Sequence, residues 1–408
     1  MNIYFLINSL TGGGAERQSV MIGSRIKPKG FILLEKKISY KLNDTALHIL
    51  SNLPAGLNRT LKYLYIPLYV IKLKRMISKD TVIISFLERA NFVNILTKLL
   101  TGHKSIVNVT TNLSRSYSHG LKRFNLLLIK LLYPLADVII ANSKGVETDL
   151  SNILGIIPSR IAAIYNPIDL QFILNRAEER IEKQYEGIFK YPVIITAGRL
   201  VEPKGHWYLI RIFNEILKSE PSVKLVILGE GELDGLLIEL CNALGLRVYC
   251  RWLDNSEPSE DCNVFFLGFK ENPFKYFKSS AVFTLTSLWE GFPNALIEAL
   301  VCKLPVIASD CNSGPREILS LNEKSYERKL APEFADFGVL MPPFDGQIYS
   351  AEAELTKEEL LWVNTIKTLL KSQEMRDKLT AKALESAQRF SIDKIIAQWL
   401  IEINRLSP

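Results

Sequence analysis

Short apolar segments alternate with longer amphipathic segments along all 408 residues, and this alternation is what most restricts the fold. Short runs rich in β-branched residues are typical of buried parallel strands, and the periodic segments between them are typical of helices. The predicted strands are Ile3–Ile7, Thr81–Phe86, Ser105–Val109 and Val138–Ala141, then Val193–Ala197, Lys224–Leu228, Val264–Leu267, Ala281–Leu285 and Pro305–Ala308. Because parallel strands need crossover connections, the pattern predicts an α/β fold.

A turn signal at Tyr165–Asp169, followed by a charged helical segment, separates the two sets of strands. Since the length exceeds the usual size of one core, we predict two Rossmann-like domains, 1–168 and 169–388, and a C-terminal helix at 389–408 that packs back across both. The polar segment 321–357 shows no period and is predicted to be a surface insertion. Ligands of open α/β sheets bind outside the carboxyl ends of the strands, so two such domains would face each other across a cleft lined by strand-to-helix loops.

The two halves of the chain differ in charge. Residues 1–170 carry 22 Lys and Arg against 9 Asp and Glu, whereas the remainder is mildly acidic. Two segments of the basic half, Leu61–Arg75 and Leu121–Leu132, mix apolar, aromatic and basic residues, a composition that favours an anionic membrane surface. Ordinary amphipathic helices with solvated lysines are the alternative. Nucleic acid is not an expected partner, because no nucleic-acid-binding motif is recognised.

Three further features predict a cytoplasmic protein, which its basic half would hold on the inner face of the cytoplasmic membrane. The five cysteines show no CxxC spacing, which favours reduced thiols. The N-terminus runs into a strand pattern without a charged leader, so no signal peptide is expected. No apolar run reaches the length of about 18 residues that spans a bilayer.

The segment Ser287–Leu300 places two carboxylates, Glu290 and Glu298, eight residues apart around a Gly–Pro turn. Pro293 suits the first turn of a helix, and Glu298 is predicted to project from the start of that apolar helix. A buried carboxylate needs a partner, and sugar hydroxyls would provide one. The helix start also directs backbone N–H groups at a phosphate. A helix cap with an incidental glutamate is the alternative interpretation.

Glycine-rich loops follow several predicted strands. The first strand ends in Gly12-Gly13-Gly14, which permits close approach of the backbone to a ligand, although a sharp turn alone is the alternative. The strand at 193–197 ends in a loop with Gly198, Arg199 and Lys204, in which a guanidinium fork and an ammonium group could hold a diphosphate from two sides. Two solvated surface cations are the alternative. Gly229-Glu-Gly231 and Gly268-Phe269-Lys270 are further loops of this kind.

In order along nearly the whole chain, these elements resemble glycosyltransferase family 4, whose members are retaining enzymes with the GT-B double-Rossmann fold. The Glu-x7-Glu element with its Gly-Phe-Pro-Asn-Ala core is the most specific match. The resemblance implies transfer of a hexose or N-acetylhexosamine from a nucleotide-diphosphate sugar, with UDP the expected carrier, to a membrane-lipid-linked glycan. Bacterial polysaccharide, capsule or O-antigen assembly is the implied setting. No cofactor or metal is expected, and the chain has no Asp-x-Asp element. Sugar, base, acceptor and oligomeric state stay open.

The resemblance also implies roles for individual residues. Arg199 and Lys204 would hold the diphosphate and stabilise the charge that grows as the sugar–phosphate bond breaks. Glu290 would hold hydroxyls of the transferred sugar and is counted with them as catalytic, and Glu298 would accept hydrogen bonds from the ribose. The other implied donor-binding residues are Gly13, Gly14, Gly198, Gly231, Phe269, Lys270, Gly291, Phe292, Pro293, Asn294, Ala295 and Leu296.

One position departs from the family. Many members carry a histidine after the strand that corresponds to Ser105–Val109, where this chain has Thr110-Thr111-Asn112. Thr111 or Asn112 could make the same contact with a sugar hydroxyl. Glu16 and His119 are further candidates for acceptor contacts, and a surface histidine is the alternative for His119. The missing histidine leaves open an inactive partner subunit of a glycosyltransferase complex. A GT-B nucleotide-sugar epimerase is also open, although no acid/base residues for it are located.

Overall fold

The computed structural model describes residues 2–406 apart from 12, 41, 43–44, 52–60, 117–121, 157, 255 and 322–329, and it leaves out the side chains of residues 122, 123 and 158. His119 and Gly12 therefore lie outside the described residues. The chain forms two compact units. The first comprises residues 1–167 together with 390–408, and the second comprises residues 168–389.

The regular elements alternate between strand and helix in both units. The strands are β1 (Asn2–Ile7), β2 (Gly30–Leu33), β3 (Ala46–Ile49), β4 (Thr81–Phe86), β5 (Lys104–Val109), β6 (Val138–Ala141), β7 (Ile161–Ala163), β8 (Val193–Ala197), β9 (Lys224–Leu228), β10 (Val248–Cys250), β11 (Val264–Gly268), β12 (Val282–Leu285), β13 (Val306–Ser309), β14 (Glu333–Phe334) and β15 (Val339–Met341). The helices are α1 (Gly14–Ile26), α2 (Ile66–Lys74), α3 (Glu88–Thr101), α4 (Leu113–Ser116), α5 (Lys122–Leu132), α6 (Lys144–Leu154), α7 (Leu170–Ala177), α8 (Lys183–Glu186), α9 (His206–Leu217), α10 (Asp234–Ala243), α11 (Phe274–Lys278), α12 (Asn294–Val301), α13 (Pro315–Leu319), α14 (Lys357–Lys371), α15 (Gln373–Ala381), α16 (Ala383–Gln388) and α17 (Ile392–Arg405). Short 3-10 helices lie at Leu61–Tyr65, Tyr133–Leu135, Pro158–Arg160, Ile188–Lys190 and Glu202–Lys204.

The nine predicted strands are all present, with ends within one residue of the prediction. The sequence did not predict β2, β3, β7, β10, β14 or β15. These strands have two to four residues each. Length alone does not explain the omission of β2 and β3, because β6, β12 and β13 also have four residues and were predicted.

The first unit is built on a parallel sheet with the strand order β3-β2-β1-β4-β5-β6-β7. The chain moves outward from β1 to β3 and then returns to β4 on the other side of β1, so the strand order reverses between β1 and β4. One face of the sheet packs against α2, α3 and α5. The other face packs against α17, where the ring of Trp399 lies 6.2 Å from that of Phe86. The C-terminal helix therefore completes the core of this unit.

The second unit is built on a sheet with the order β10-β11-β9-β8-β12-β13-β15-β14, in which β14 alone pairs antiparallel with its neighbour in the described register. Its strand order reverses between β8 and β12, because β9 to β11 extend the sheet on one side of β8 and β12 begins the other side. The large side chains of Trp207 and Phe213 on α9 and of Trp362 on α14 fill the core over one face.

The prediction of a surface insertion over 321–357 is wrong where β15 lies. This strand is buried and pairs with β13 inside the sheet. It has only three residues, between Gly338 and Pro342, so its apolar side chains do not form a recognisable period.

Candidate functional site

The reversal of strand order between β8 and β12 marks the crevice in which an open α/β sheet binds its ligands. The loops that leave these two strands are residues 198–205 and 286–293, so their side chains meet at the carboxyl edge of the sheet. The predicted residues Gly198, Arg199, Lys204 and Glu290 are all in these two loops.

Three contacts join the two loops. The Thr286 hydroxyl donates a hydrogen bond to the Lys204 carbonyl at 3.1 Å. The Leu288 N–H donates to the Pro203 carbonyl at 2.8 Å. Gly205 has φ +57°, and a Cβ at this position would lie 2.5 Å from the Thr286 carbonyl oxygen. Only glycine fits here, because both the backbone angle and the space exclude a side chain.

An ion pair occupies the junction of the loops. The Lys204 ammonium lies 2.5 Å from Glu290 Oε1, and the buried Ser287 hydroxyl donates a hydrogen bond to the same oxygen at 2.7 Å. The side chains of Lys204 and Glu290 are only 21% and 10% exposed, so solvent screens this pair less than a surface pair. The site thus presents an ammonium and a carboxylate side by side, which suits a ligand that carries both phosphates and hydroxyls.

The loop after β13 packs against the turn that contains Glu290. Ser313 donates its hydroxyl hydrogen to the Glu290 carbonyl at 2.5 Å. Gly314 has φ +92°, and a Cβ there would lie 2.5 Å from Pro293 Cδ. The sequence analysis did not identify these residues or Ser287. Ser313-Gly314-Pro315 follows a predicted strand, so the strand-end criterion applied to the other loops would have identified the first two.

Helix α12 begins one residue later than predicted. Pro293 is its N-cap and not part of its first turn, and the Leu296 N–H donates to the Pro293 carbonyl at 3.1 Å. The resemblance also implies that backbone N–H groups over Phe292–Leu296 help to bind the phosphates, but Pro293 has no N–H and that of Leu296 already donates within the turn. Glu298 is the fifth residue of α12 and is buried, so it lies deeper in the helix than predicted.

The strand-end glycines bring neighbouring loops into backbone contact. A Cβ on Gly229, which has φ +134°, would lie 1.9 Å from the Gly198 carbonyl oxygen. A Cβ on Gly231 would lie 2.3 Å from the Leu200 carbonyl oxygen. The loops after β8 and β9 are thus packed backbone against backbone, while the Arg199 side chain on the first of them is exposed.

Phe269 and Lys270 follow β11 but differ in environment. The Phe269 ring is 53% exposed, and its backbone N–H donates to Glu230 Oε1 at 3.2 Å. The Lys270 ammonium lies over the rings of Tyr185 and Tyr276, 4.3 and 5.6 Å from their centroids. Burial lowers the pKa of Lys270 to about 8. Phe269 offers a surface on which a base could stack, whereas Lys270 already has an internal partner.

His206, the first residue of α9, is structural. Burial and the neighbouring charge of Lys204 lower its pKa to about 3, so the ring is neutral at physiological pH. It fills space beneath the Lys204 loop and carries no charge into the site.

The corresponding edge of the first unit is built from local polar contacts. The Thr11 hydroxyl donates to Glu16 Oε1 at 3.0 Å, and a Cβ on Gly13 would overlap the Glu16 carboxylate. The hydroxyls of Thr111 and Ser116 are 2.8 Å apart. The predicted candidates Glu16 and Thr111 thus each close a turn of their own loop.

Asn112 has the same kind of role. Its side-chain oxygen accepts a hydrogen bond from the Arg115 N–H at 3.2 Å and caps α4.

Glu35 lies after β2 and was not predicted. It pairs with Lys62 at 2.8 Å and with Arg89 at 2.5 Å. Burial raises the pKa of Glu35, but hydrogen bonds from the two cations outweigh it and lower the pKa below its usual value.

The described residues contain neither a candidate metal site nor a helix that could span a membrane. Within them, no group of three or more His, Cys, Asp or Glu side chains has an arrangement that could hold a metal ion. No helix in the described part of the chain has the length and apolar character needed to cross a membrane.

The chain matches two known families along most of its length. Residues 178–330 match the family described as Glycosyl transferases group 1, and residues 45–172 match the family described as Glycosyltransferase Family 4. Over 401 residues, 95% of each chain, it is 33% identical to the N-acetylgalactosamine-N,N'-diacetylbacillosaminyl-diphospho-undecaprenol 4-alpha-N-acetylgalactosaminyltransferase of Campylobacter jejuni. It is also 34% identical to an uncharacterized glycosyltransferase of Methanocaldococcus jannaschii, over 76% of this chain and 74% of that relative.

Solved structures resemble the whole chain at lower identity. HepE of Anabaena, in complex with UDP-glucose, aligns over 100% of both chains with a TM-score of 0.76 and 21% identity. Sucrose-phosphate synthase of Thermosynechococcus elongatus covers 100% of this chain and 99% of its own, with a TM-score of 0.75 and 16% identity. The likeness extends over both units.

Proposed function

Since the chain belongs to glycosyltransferase family 4 and has the GT-B fold, we propose that it is a retaining glycosyltransferase that uses a UDP-sugar and a lipid-linked acceptor. The proposed sugar is a hexose or an N-acetylhexosamine, and the proposed setting is surface-polysaccharide assembly. The observation that carries this proposal is the contact between Lys204 and Glu290 at the point where the second sheet reverses its strand order.

The donor would separate this ion pair. Lys204, with Arg199 on the same loop, would bind the diphosphate and stabilise the negative charge that develops on it. Glu290 would then accept hydrogen bonds from hydroxyls of the transferred sugar, and Ser287 would keep its carboxylate oriented through the 2.7 Å hydrogen bond. Glu298 would accept hydrogen bonds from the ribose, and Phe269 would stack on the base. Lys204 would thus bind the diphosphate of the donor, and Glu290 would bind its sugar hydroxyls.

Relatives support the choice of donor and acceptor classes. HepE is bound to UDP and to UDP-glucose in its crystal structures, which favours UDP as the carrier here. The acceptor of the Campylobacter jejuni relative is a diphospho-undecaprenol-linked sugar, which favours a lipid-linked acceptor. In the proposed reaction, the acceptor hydroxyl attacks on the face from which the diphosphate leaves. A leaving phosphate oxygen takes the proton, so neither a protein nucleophile nor a metal ion is required.

An apolar surface of the first unit would place the protein on the membrane. Leu64, in the 3-10 helix before α2, is 75% exposed, and Leu131 on α5 is 60% exposed. The two elements are neighbours, because the Asn125 side-chain amide donates to the Tyr63 hydroxyl at 2.9 Å. Exposed cations lie on α2 and just after it. A surface that has apolar side chains beside lysines is suited to binding an anionic bilayer.

Transfer to a lipid-linked acceptor tests the proposed reaction. Purified protein is incubated with undecaprenyl-diphosphate-linked sugar and with the UDP-activated forms of glucose, galactose, N-acetylglucosamine and N-acetylgalactosamine. We expect one donor to be consumed with formation of an α-linked product, as determined by NMR of the released glycan. A β-linked product would refute retention. Tight UDP binding without transfer from any donor would favour the inactive partner subunit, and conversion of a donor into its epimer would favour the epimerase.

Vesicle flotation tests the membrane surface separately. We expect the protein to float with phosphatidylglycerol vesicles and less with phosphatidylcholine vesicles. Leu64→Ser combined with Phe124→Ser should weaken binding by about tenfold, because two exposed apolar side chains would no longer enter the lipid. Leu253→Ser, at an exposed leucine of the second unit, is the matched control and should bind as the wild type does. Equal flotation of both variants would refute this surface.

A further inference from the structure

A cavity of about 320 Å³ lies at the opposite edge of the second sheet from the donor loops. Its walls include Pro192, Ala281 and Pro305, which directly precede β8, β12 and β13. These strands have four or five residues and rise about 3.3 Å per residue, so they separate the cavity from the loops after their carboxyl ends by roughly 15 Å. The cavity is therefore distinct from the donor site.

Two cations line this cavity. Lys303 follows α12, and Arg376 belongs to α15. The Arg376 guanidinium donates to the carbonyls of Leu369 and Leu370 at 2.5 and 2.7 Å, which are neutral acceptors, so these bonds do not neutralise its charge. Asp377 is the acidic residue of the wall. The balance of charge favours an anion.

The backbone at Lys303 disfavours a lysine. Lys303 has φ +56°, and the surrounding hydrogen bonds, such as that from Leu304 N–H to the Ala299 carbonyl at 3.0 Å, form the helix-ending motif that usually places glycine here. A side chain in this left-handed conformation is strained, and glycine would relieve the strain. Lys303 therefore carries its positive charge beside the cavity at a backbone cost.

We propose that this cavity binds a small phosphorylated metabolite of sugar-phosphate size at a second site in the donor-binding unit. Lys303 and Arg376 hold the phosphate by charge-assisted hydrogen bonds. Ser279 and Ser280 also line the cavity, and their hydroxyls donate to the carbonyls of Lys275 and Tyr276. Their oxygens can still accept hydrogen bonds from hydroxyls of the ligand. The volume is at the lower end of the range for small-molecule pockets, which fits a monosaccharide phosphate.

Calorimetric titration of the full-length protein with glucose 6-phosphate and with inorganic phosphate tests this site. We expect saturable binding of glucose 6-phosphate that UDP does not displace. Lys303→Gln keeps the strained backbone but removes the charge, so it should weaken binding at least tenfold. Lys303→Gly should weaken binding equally and raise the melting temperature of the ligand-free protein by about 2 °C, because the strain is relieved.

Lys27→Gly is the matched control, because Lys27 ends α1 with φ +53° and does not line the cavity. It should gain stability in the same way and bind glucose 6-phosphate as the wild type does. UDP affinity, measured on every variant, checks that the donor unit is folded. The proposal is overturned if the wild type shows no saturable binding at up to about 10 mM, if Lys303→Gln binds normally, or if UDP competes. Binding is measured without transfer, so failure here leaves the proposed function untouched.

Discussion

The two units have sheets that reverse strand order in the same way, but their carboxyl edges are built differently. In the second unit, Lys204 and Glu290 meet across two loops that glycines bring into backbone contact. In the first unit, Thr111, Asn112 and Glu16 form hydrogen bonds within their own loops. The shared topology provides two crevices, and both join opposite charges, since Glu35 in the first pairs with Lys62 and Arg89. Among the described residues, the predicted site residues pair across separate loops only in the second crevice. This difference is the basis of our proposal that the second unit holds the donor.

The largest expected effect is on the charged pair. Lys204→Met should reduce the rate of sugar transfer by roughly 10²- to 10³-fold, because it removes a cation from the developing charge on the diphosphate. Lys218→Met removes a lysine from an exposed pair with Glu215 on α9 and serves as the control. Transfer is measured at saturating donor. A rate within threefold of the wild type for Lys204→Met would remove this residue from the mechanism.

The glycine packing should distinguish the two units by stability. Gly229→Ala should lower the free energy of unfolding by about 3 kcal/mol or more, because its Cβ would overlap the Gly198 carbonyl oxygen. Gly155 in the first unit lies in the left-handed helical region with φ +62°, and the new Cβ of Gly155→Ala would have no atom within 4 Å, so this substitution should cost only about 1 kcal/mol. Denaturant unfolding measures both. Equal losses would show that the loops of the second unit are no more closely packed than those of the first.

Acid should destabilise the second unit over a wider pH range. The pKa of His206 is lowered to about 3 and that of His103, in the first unit, to about 4, in both cases chiefly by burial. Because both values lie below the unfolded value of about 6.5, the unfolded state binds more protons and stability falls as the pH drops from 6.5 towards each folded pKa. The substitution His206→Gln should make the free energy of unfolding of the second unit less dependent on pH and leave that of the first unit unchanged. Unfolding between pH 4 and 7 measures this. An unchanged slope would contradict the buried neutral ring.

The smallest expected effect is at the position of the missing family histidine. Asn112→Ala should cost about 1 kcal/mol of stability, because it removes the cap of α4, and should leave transfer within threefold of the wild type. Ser143→Ala, which removes the cap of α6, is a control of the same kind. If Asn112→Ala slows transfer tenfold while Ser143→Ala does not, Asn112 contacts the acceptor or the sugar and the first unit holds more of the chemistry.

The sequence predicted nine strands well, since burial on both faces leaves a continuous apolar pattern. It missed β2, although that strand is part of an apolar run of four residues at 31–34. It failed for β15, whose three residues carry too little pattern. At the site, Lys204 and Glu290 were both predicted, but not their contact, because they are 86 residues apart and meet only through the pairing of β8 with β12. Ser313 could have been identified by its position after a predicted strand, but its bond to the Glu290 carbonyl depends on the tertiary fold.

We propose that a donor separates the Lys204–Glu290 ion pair, because its diphosphate binds the lysine and its sugar binds the glutamate. Calorimetric titration of Glu290→Gln with UDP and with the UDP-sugar tests it most directly. The variant frees Lys204, so UDP should bind more tightly than it does to the wild type. The UDP-sugar should no longer bind with higher affinity than UDP. If Glu290→Gln weakens UDP and the UDP-sugar by the same factor, Glu290 only maintains the loop, and the assignment of the sugar site is wrong.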